Sequence, residues 1–366
     1  MTRKQGRLSY IQYSSLIIST MIGVIVVRLP KLAAVSAEEG AVYSTLISGV
    51  LTIVIAVAMA ILGKRFHNQT IMEYSTLILG KVLGKLFGAL VTFYFIIVAS
   101  VVLRDFSDAL KGLLLKNTPL EIIMISMLLT VVYMVTNGIN SVAKVTELFL
   151  PIIILSLALV IVLSGSNFKF VNLRPTLIPN FRLIIKGIPD LVIAFQGYEI
   201  ILLVIPFLND HKKVIPYTII GTGIPTILYT ILVAITIGVF GLETTQNLNY
   251  PTISLAEGIT FPGAFAERFD IFIAVLWILA AFTTIGNSFY MSSFTTVRLF
   301  GLKHYKPFVY ILAPIVYILA ILPQNLMEIR RFSSITGYIG LGVSIIIVGM
   351  LFLAWISGGK RERKNA

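Results

Sequence analysis

The sequence predicts an all-α polytopic membrane protein, a bundle of about ten transmembrane helices, and three observations carry that reading. Of the 366 residues, 57% are hydrophobic and only 12% are charged, about half the charged share of an ordinary soluble domain. The mean hydropathy of +0.95 agrees. The apolar residues also run continuously, in stretches near the roughly 20 residues that a helix needs to cross a hydrocarbon core about 30 Å thick. Continuous runs argue against the alternating pattern of barrel strands, and lipid, which supplies no hydrogen-bond partners, admits only helices and closed barrels. A water-soluble globule is excluded.

The stretches fall near residues 8–28, 40–62, 86–110, 119–137, 142–164, 184–208, 214–240, 268–297, 307–323 and 334–357. The first follows a basic segment, Met1 to Arg7, with no small-x-small cleavage site after it, and continues to Leu29-Pro30, so it reads as a span and not a removable signal. The second ends on Lys64-Arg65. Before the third, Gly80, Gly84 and Gly88 share a helix face and read as packing glycines. The third carries Tyr94 at mid-depth. Near its outer end Arg104 and Asp108 lie on one face beside Asp105, as a structural ion pair or a gate. Lys144 and Glu147 open the fifth span, where snorkelling to the surface accounts for them. In the sixth, Asp190 follows Pro189 and either caps a half-helix or sits on an entry route. The eighth holds a polar run, Thr283, Thr284 and Asn287, at mid-depth.

Two connections are long and amphipathic. His67 to Lys85 predicts a helix lying on one membrane face, and Leu242 to Pro262 a partly helical cap on the other. Either could gate a path. No soluble domain or low-complexity linker interrupts the pattern, so residues 1–366 read as a single transmembrane domain with a basic tail at 358–366.

Lys and Arg exceed Asp and Glu by 29 to 16. In a chain this apolar the excess orients spans and does not indicate a nucleic-acid partner. With ten spans both termini share a side. The loops on that side hold more of the cations, whereas Glu38, Glu39, Glu121, Glu243, Glu257, Glu267 and Glu328 fall on the other, which places both termini in the cytoplasm. The absence of cysteine rules out disulfides, thiolate nucleophiles and cysteine-ligated metal. His67, His211 and His304 lie in loops beside Lys or Arg, without metal-ligand spacing, and read as solvated. Gly80 to Leu86 lacks the spacing of a phosphate loop. Neither a metal nor a cofactor is expected, and no enzymatic centre.

The first and sixth spans share an interruption. The first reads Thr20-Met21-Ile22-Gly23-Val24-Ile25 and the sixth Phe195-Gln196-Gly197-Tyr198-Glu199. They lie five spans apart, which points to an inverted repeat of five plus five, the first about 8–164 and the second about 184–357, with unwound backbone at mid-membrane binding a small polar solute. Backbone N–H groups at a half-helix start attract a carboxylate, and C=O groups at a half-helix end attract an ammonium or a cation. A zwitterion would satisfy both. Glu199 strengthens the pairing, because an ionisable group at this depth costs at least about 2.5 kcal/mol unless it is paired or solvated.

Phe195-Gln196-Gly197-Tyr198-Glu199 resembles the helix-six break of the amino acid–polyamine–organocation transporters, and Ile22-Gly23-Val24-Ile25 resembles their helix-one G-x-G, with Ile25 in place of the second glycine. More narrowly, Thr20 to Gly23, Leu29-Pro30, Asn172-Leu173-Arg174-Pro175, Pro251-Thr252-Ile253-Ser254-Leu255 and Glu267-Arg268-Phe269 resemble the spore germination permease family, the B subunits of spore nutrient germinant receptors. The similarity runs from about residue 8 to about 357. It implies a LeuT-like fold and a germinant-sensing subunit in the spore inner membrane, with A and C subunits as partners. The paired breaks and the polar residues at mid-depth give the candidate solute site, Thr20, Gly23, Val24, Ile25, Tyr94, Phe195, Gln196, Gly197, Glu199, Thr283, Thr284 and Asn287, and the resemblance makes that solute a nutrient, an amino acid first. An H⁺- or Na⁺-coupled amino-acid carrier and a purely structural anchor are the rival readings.

Overall fold

A computed structural model describes residues 7–23, 25–177, 180–259 and 269–361. Val24, Pro262, Glu267 and Arg268, singled out above, lie outside the described residues, as do parts of the basic segments at both ends. Helices account for nearly all of the rest. Among the described residues the only strand-like pairing is one parallel bridge, Leu8 with Leu208.

The first span is two helices. α1 (Tyr10–Ile22) starts at a capping box in which Ser9 and Gln12 exchange side-chain and backbone hydrogen bonds of 3.1 Å. After the break at Gly23 a short 3₁₀ turn (Ile25–Val27) leads into α2 (Leu29–Ala37), with Pro30 in the first turn, where no N–H is needed. The expected end at residue 28 is therefore corrected: the span continues to Ala37, and Arg28 sits between its two halves. Lys31 and Ser36 lower the hydropathy of α2 and hide it from a sequence scan.

The remaining helices follow the expected stretches closely. α3 (Ala41–Arg65) is the second span, and α4 (Ile71–Leu79) is the amphipathic helix expected after it. α5 (Lys81–Leu113) is the third, α6 (Leu120–Thr136) the fourth and α7 (Ile139–Ser164) the fifth. α8 (Phe170–Leu177) crosses to the sixth span, which is again broken, into α9 (Phe181–Ala194) and a second piece that includes α10 (Ile201–Val204), bent by 50° at the break. α11 (Val214–Phe240) is followed by α12 (Leu242–Asn247) and α13 (Pro251–Glu257), the partly helical cap. α14 (Phe269–Leu299), α15 (Lys306–Ile321) and α16 (Leu326–Arg361) complete the chain. Among the described residues, five helical stretches are long and apolar enough to cross a membrane, and the bent pair makes a sixth; α6 and α15 are apolar but shorter.

The apolar surface is distributed as a bilayer demands. Val54, Leu129, Tyr133, Leu155, Ile318 and Phe352 are exposed on the outside of the bundle, while small and hydroxylated side chains such as Ser44, Thr45, Ser48 and Thr52 are buried along α3. Small residues let helices approach when lipid is as apolar as the core. Gly84 and Gly88 do pack, against α4 and against Met72 and Leu299, whereas Gly80 is the turn between α4 and α5.

Two further expectations need correction. Arg104 does not pair with Asp108; it donates to the carbonyls of Ala320 (3.2 Å) and Ile321 (3.3 Å), where α15 runs out of amide partners. The ion pair at this depth is instead Arg28 with Asp105. His67 is exposed as expected, but His211 is not simply solvated: it is half-buried, its ring stands 4.9 Å from that of His67, and its Nε2 contacts the Ile205 carbonyl at 3.1 Å.

Candidate functional site

The two breaks meet in the middle of the bundle. Gly197 has φ +120°, and a Cβ there would stand 2.7 Å from the backbone carbonyl of Thr20, so the unwound segment of the sixth span lies directly against the first. Gly23 has φ +26°, and a Cβ on it would press on the Thr284 side chain at 3.1 Å.

Side chains meet the backbone groups around the breaks, including the Ser19 carbonyl, which also accepts the Gly23 N–H (3.2 Å). Thr284 donates to the Ser19 carbonyl (2.8 Å), Tyr229 to Met21 (2.7 Å) and Ile22 (3.2 Å), and Thr252 of the cap to Val26 (2.7 Å). The Gly197 N–H, which the sequence reading offers to a solute carboxylate, is taken by Glu199 Oε2 at 2.8 Å. Glu199 is 1% exposed, with the Tyr94 hydroxyl beside its carboxyl.

A cavity of about 400 Å³ opens beside these breaks, within the size range of small-molecule sites. Thr20, Gly23, Ile25, Tyr94, Gln196, Gly197 and Thr284 line it. Phe195, Glu199, Thr283 and Asn287 do not; they form the layer behind. Phe195 packs on Tyr229 with ring centres 5.1 Å apart, Thr283 accepts from Ser19 Oγ (2.7 Å), and Asn287 donates to Thr20 Oγ1 (3.0 Å) while accepting from Thr146 (3.1 Å). The Asn287 bond, with the one that Thr20 Oγ1 donates to the Leu16 carbonyl (2.6 Å), fixes the rotamer of Thr20 at the cavity wall.

Asp105 and Asp190, expected near a gate or an entry route, line the cavity too, but most of its wall comes from residues that no sequence motif marks. Val98, Val101 and Val102 on α5 and Ile193 on α9 form an apolar side. Arg28, Lys31 and Arg330, with Asp105 and Asp190, surround the mouth; Ser333, Ser334 and Gly337 on α16 close the remaining face. The clustered Arg330, Arg331, Ser333 and Ser334 ahead of the tenth apolar run were the available signal. The cavity thus pairs a polar floor of broken backbone with an apolar wall and a charged rim, an arrangement suited to a small amphiphilic solute.

A family model described as "Spore germination protein" matches residues 7–329. Among curated proteins of Bacillus subtilis (strain 168), spore germination protein B2 is 27% identical over 97% of this chain and 97% of its own length. Spore germination protein A2 is 28% identical over 96% and 97%. Among solved structures, MhsT in complex with L-phenylalanine superposes with a TM-score of 0.70 at 12% identity, over 94% of this chain and 89% of that one. A Na⁺-coupled sialic acid symporter gives 0.71 at 13%, over 95% and 79%. The fold is therefore that of the LeuT-type transporters, and the chain is a multi-pass membrane protein of a non-enzymatic kind.

Proposed function

We propose, since the chain belongs to the spore germination protein family, that it is the nutrient-sensing membrane subunit of a spore germinant receptor, triggered by a small solute that binds at the breaks of the first and sixth spans. The observation that carries this reading is the cavity itself: about 400 Å³, walled by both breaks, with Thr20, Thr284, Tyr94 and Gln196 as polar contacts and Val98, Val101 and Val102 among the apolar ones. An amino acid suits both its size and its division into polar and apolar sides. The solute favours one arrangement of the broken spans, and the difference in affinity between arrangements is what reaches the A and C subunits in the spore inner membrane. Both termini face the cytoplasm in this reading.

Purified full-length protein in lipid nanodiscs, heated with and without an equimolar mixture of the twenty protein L-amino acids, tests the site. A solute at a hundred times its Kd stabilises the folded state by about 2.7 kcal/mol. The stabilisation is expected in the parent and absent in Gly23→Leu, whose side chain enters the cavity. No stabilisation by amino acids, or equal stabilisation of both proteins, removes the assignment. The shared fold with Na⁺-coupled carriers favours a second reading, a carrier. Gradient-driven accumulation in liposomes, lost in Gly23→Leu, would establish that reading in place of the sensor.

A further inference from the structure

Gln196 touches two things at once. Its half-buried side chain lines the cavity, and its Nε2 donates a hydrogen bond of 2.6 Å to the carbonyl oxygen of Gly337 on α16. That oxygen lies within a helix whose own backbone ladder uses one of its two lone pairs; Gln196 takes the other. Close approach depends on a second glycine one turn on. A Cβ at Gly340 would stand 2.7 Å from Gln196 Oε1 and 2.7 Å from Tyr94 Cε2. A further turn along, the hydroxyls of Tyr198 and Ser344 meet at 3.1 Å. Residues on either side of Gly197 therefore hold α16 against the break of the sixth span.

α16 also reaches both ends of the molecule. Its first turns carry Arg330, Ser333 and Ser334 at the cavity mouth, and it packs against α4, which lies at the opposite face.

We propose that Gln196 is an exchangeable latch: a solute carboxylate in the cavity takes the Gln196 amide from the Gly337 carbonyl, and α16, so released, carries occupancy of the cavity to the face where α4 lies. This rests on the reading that the cavity binds a small solute. An ionised acceptor competes well for the amide, since charge-assisted hydrogen bonds are roughly twice as strong as neutral ones. The rim favours such a group, because with Arg28 paired to Asp105, Lys31 and Arg330 outnumber Asp190. Gln196 acts here as a positioning residue, tying the contents of the cavity to one long helix.

The chain contains no cysteine, so Leu83→Cys on α5 and Trp355→Cys on α16, both exposed, provide a clean pair of spin-label sites in the full chain in nanodiscs. Gln196→Met, which keeps the volume and removes the amide, is expected to shift the label-to-label distance with no solute present. Gly340→Ala, which pushes the amide aside from the α16 side, is expected to shift it in the same direction. The mixture of twenty L-amino acids should move the parent likewise and Gln196→Met no further, while the matched amino alcohols, which lack the carboxylate, should leave the parent in place. An unchanged distance in solute-free Gln196→Met overturns the latch whatever the solutes do. Amino acids that stabilise the parent against heat without moving α16 overturn the exchange and leave the binding site standing. Amino acids that neither stabilise nor move the parent overturn the solute reading and the trigger with it.

Discussion

At the scale of single residues, the two break glycines carry unequal constraints. Gly197 combines φ +120° with a backbone neighbour 2.7 Å from a would-be Cβ, whereas Gly23, at φ +26°, meets the Thr284 side chain at 3.1 Å and backbone no closer than 3.5 Å, at the Thr20 carbonyl. Gly197→Ala should therefore destabilise the protein by about 2–3 kcal/mol and Gly23→Ala by less, since a side chain can yield where backbone cannot. Thermal unfolding of the two full-length variants in detergent checks the order; equal losses would mean that the two breaks are not packed as described. Glu199 offers a second contrast. Glu199→Gln retains an oxygen to accept the Gly197 N–H, while Glu199→Ala leaves that buried donor unmet at about 1–3 kcal/mol, so only the alanine variant should lower the Tm markedly. Both glycines and Glu199 were legible in the sequence, because Gly and an ionisable group inside apolar runs break the local pattern. Gln196 was legible as a neighbour of the break, but its partner was not: Gly337 and Gly340 look like ordinary packing glycines until the fold brings α16 across.

The elements were legible to the extent that apolarity marks them. α11 falls on its expected 214–240, and α14, α15 and α6 begin or end within a few residues of expectation. α2 was missed because Arg28 and Lys31 end the apolar run, and with it went the pairing of Arg28 with Asp105, two residues that are not neighbours until the first span is seen to continue. α4 was expected from its amphipathic pattern, and its anchoring can be tested. Glu73 Oε2 accepts the Thr70 N–H at 2.7 Å at the start of α4, and Oε1 accepts from Arg298 of α14 at 3.0 Å, with the guanidinium 5.2 Å from the Phe294 ring. Removing the N-terminal cap alone costs about 0.5–2 kcal/mol. Glu73→Ala should therefore raise amide hydrogen exchange across Ile71–Leu79 several-fold while the middle of α5 keeps its protection. Unchanged exchange in α4 would show that packing on α5 alone holds it.

The whole molecule closes at the end where both broken spans leave the membrane. There the Leu8 N–H donates to the Phe207 carbonyl (2.8 Å), the Asn209 N–H to the Leu8 carbonyl (3.3 Å), and Tyr10 stacks on Tyr217 at 4.9 Å. His211 sits beside this junction. Burial, more than the nearby His67 and Lys64, holds its imidazole below the ordinary value, with the Ile205 carbonyl and Asp210 opposing the shift. The unfolded chain thus binds a proton at higher pH than the folded one. Stability from this group is present above about pH 6.5 and is lost as the pH falls through the lower, folded value. Thermal unfolding between pH 7.5 and 5.5 should show a fall in Tm that is smaller in His211→Gln, and an identical fall in the two proteins would assign it to other groups. None of this closure was visible in the sequence, since its partners are residues 8 and 208, each unremarkable alone. That separation also sets an order of biogenesis. At a synthesis rate of about 5–20 residues per second, the ribosome needs roughly 10–40 s to deliver the partner strand. For that interval the first helix stands in the bilayer or its insertion machinery with Ser14, Ser15, Ser19 and Thr20 not yet covered. The first broken span is made well before the sixth, so the nascent chain passes through a stage in which the candidate site is half a wall waiting for the other half.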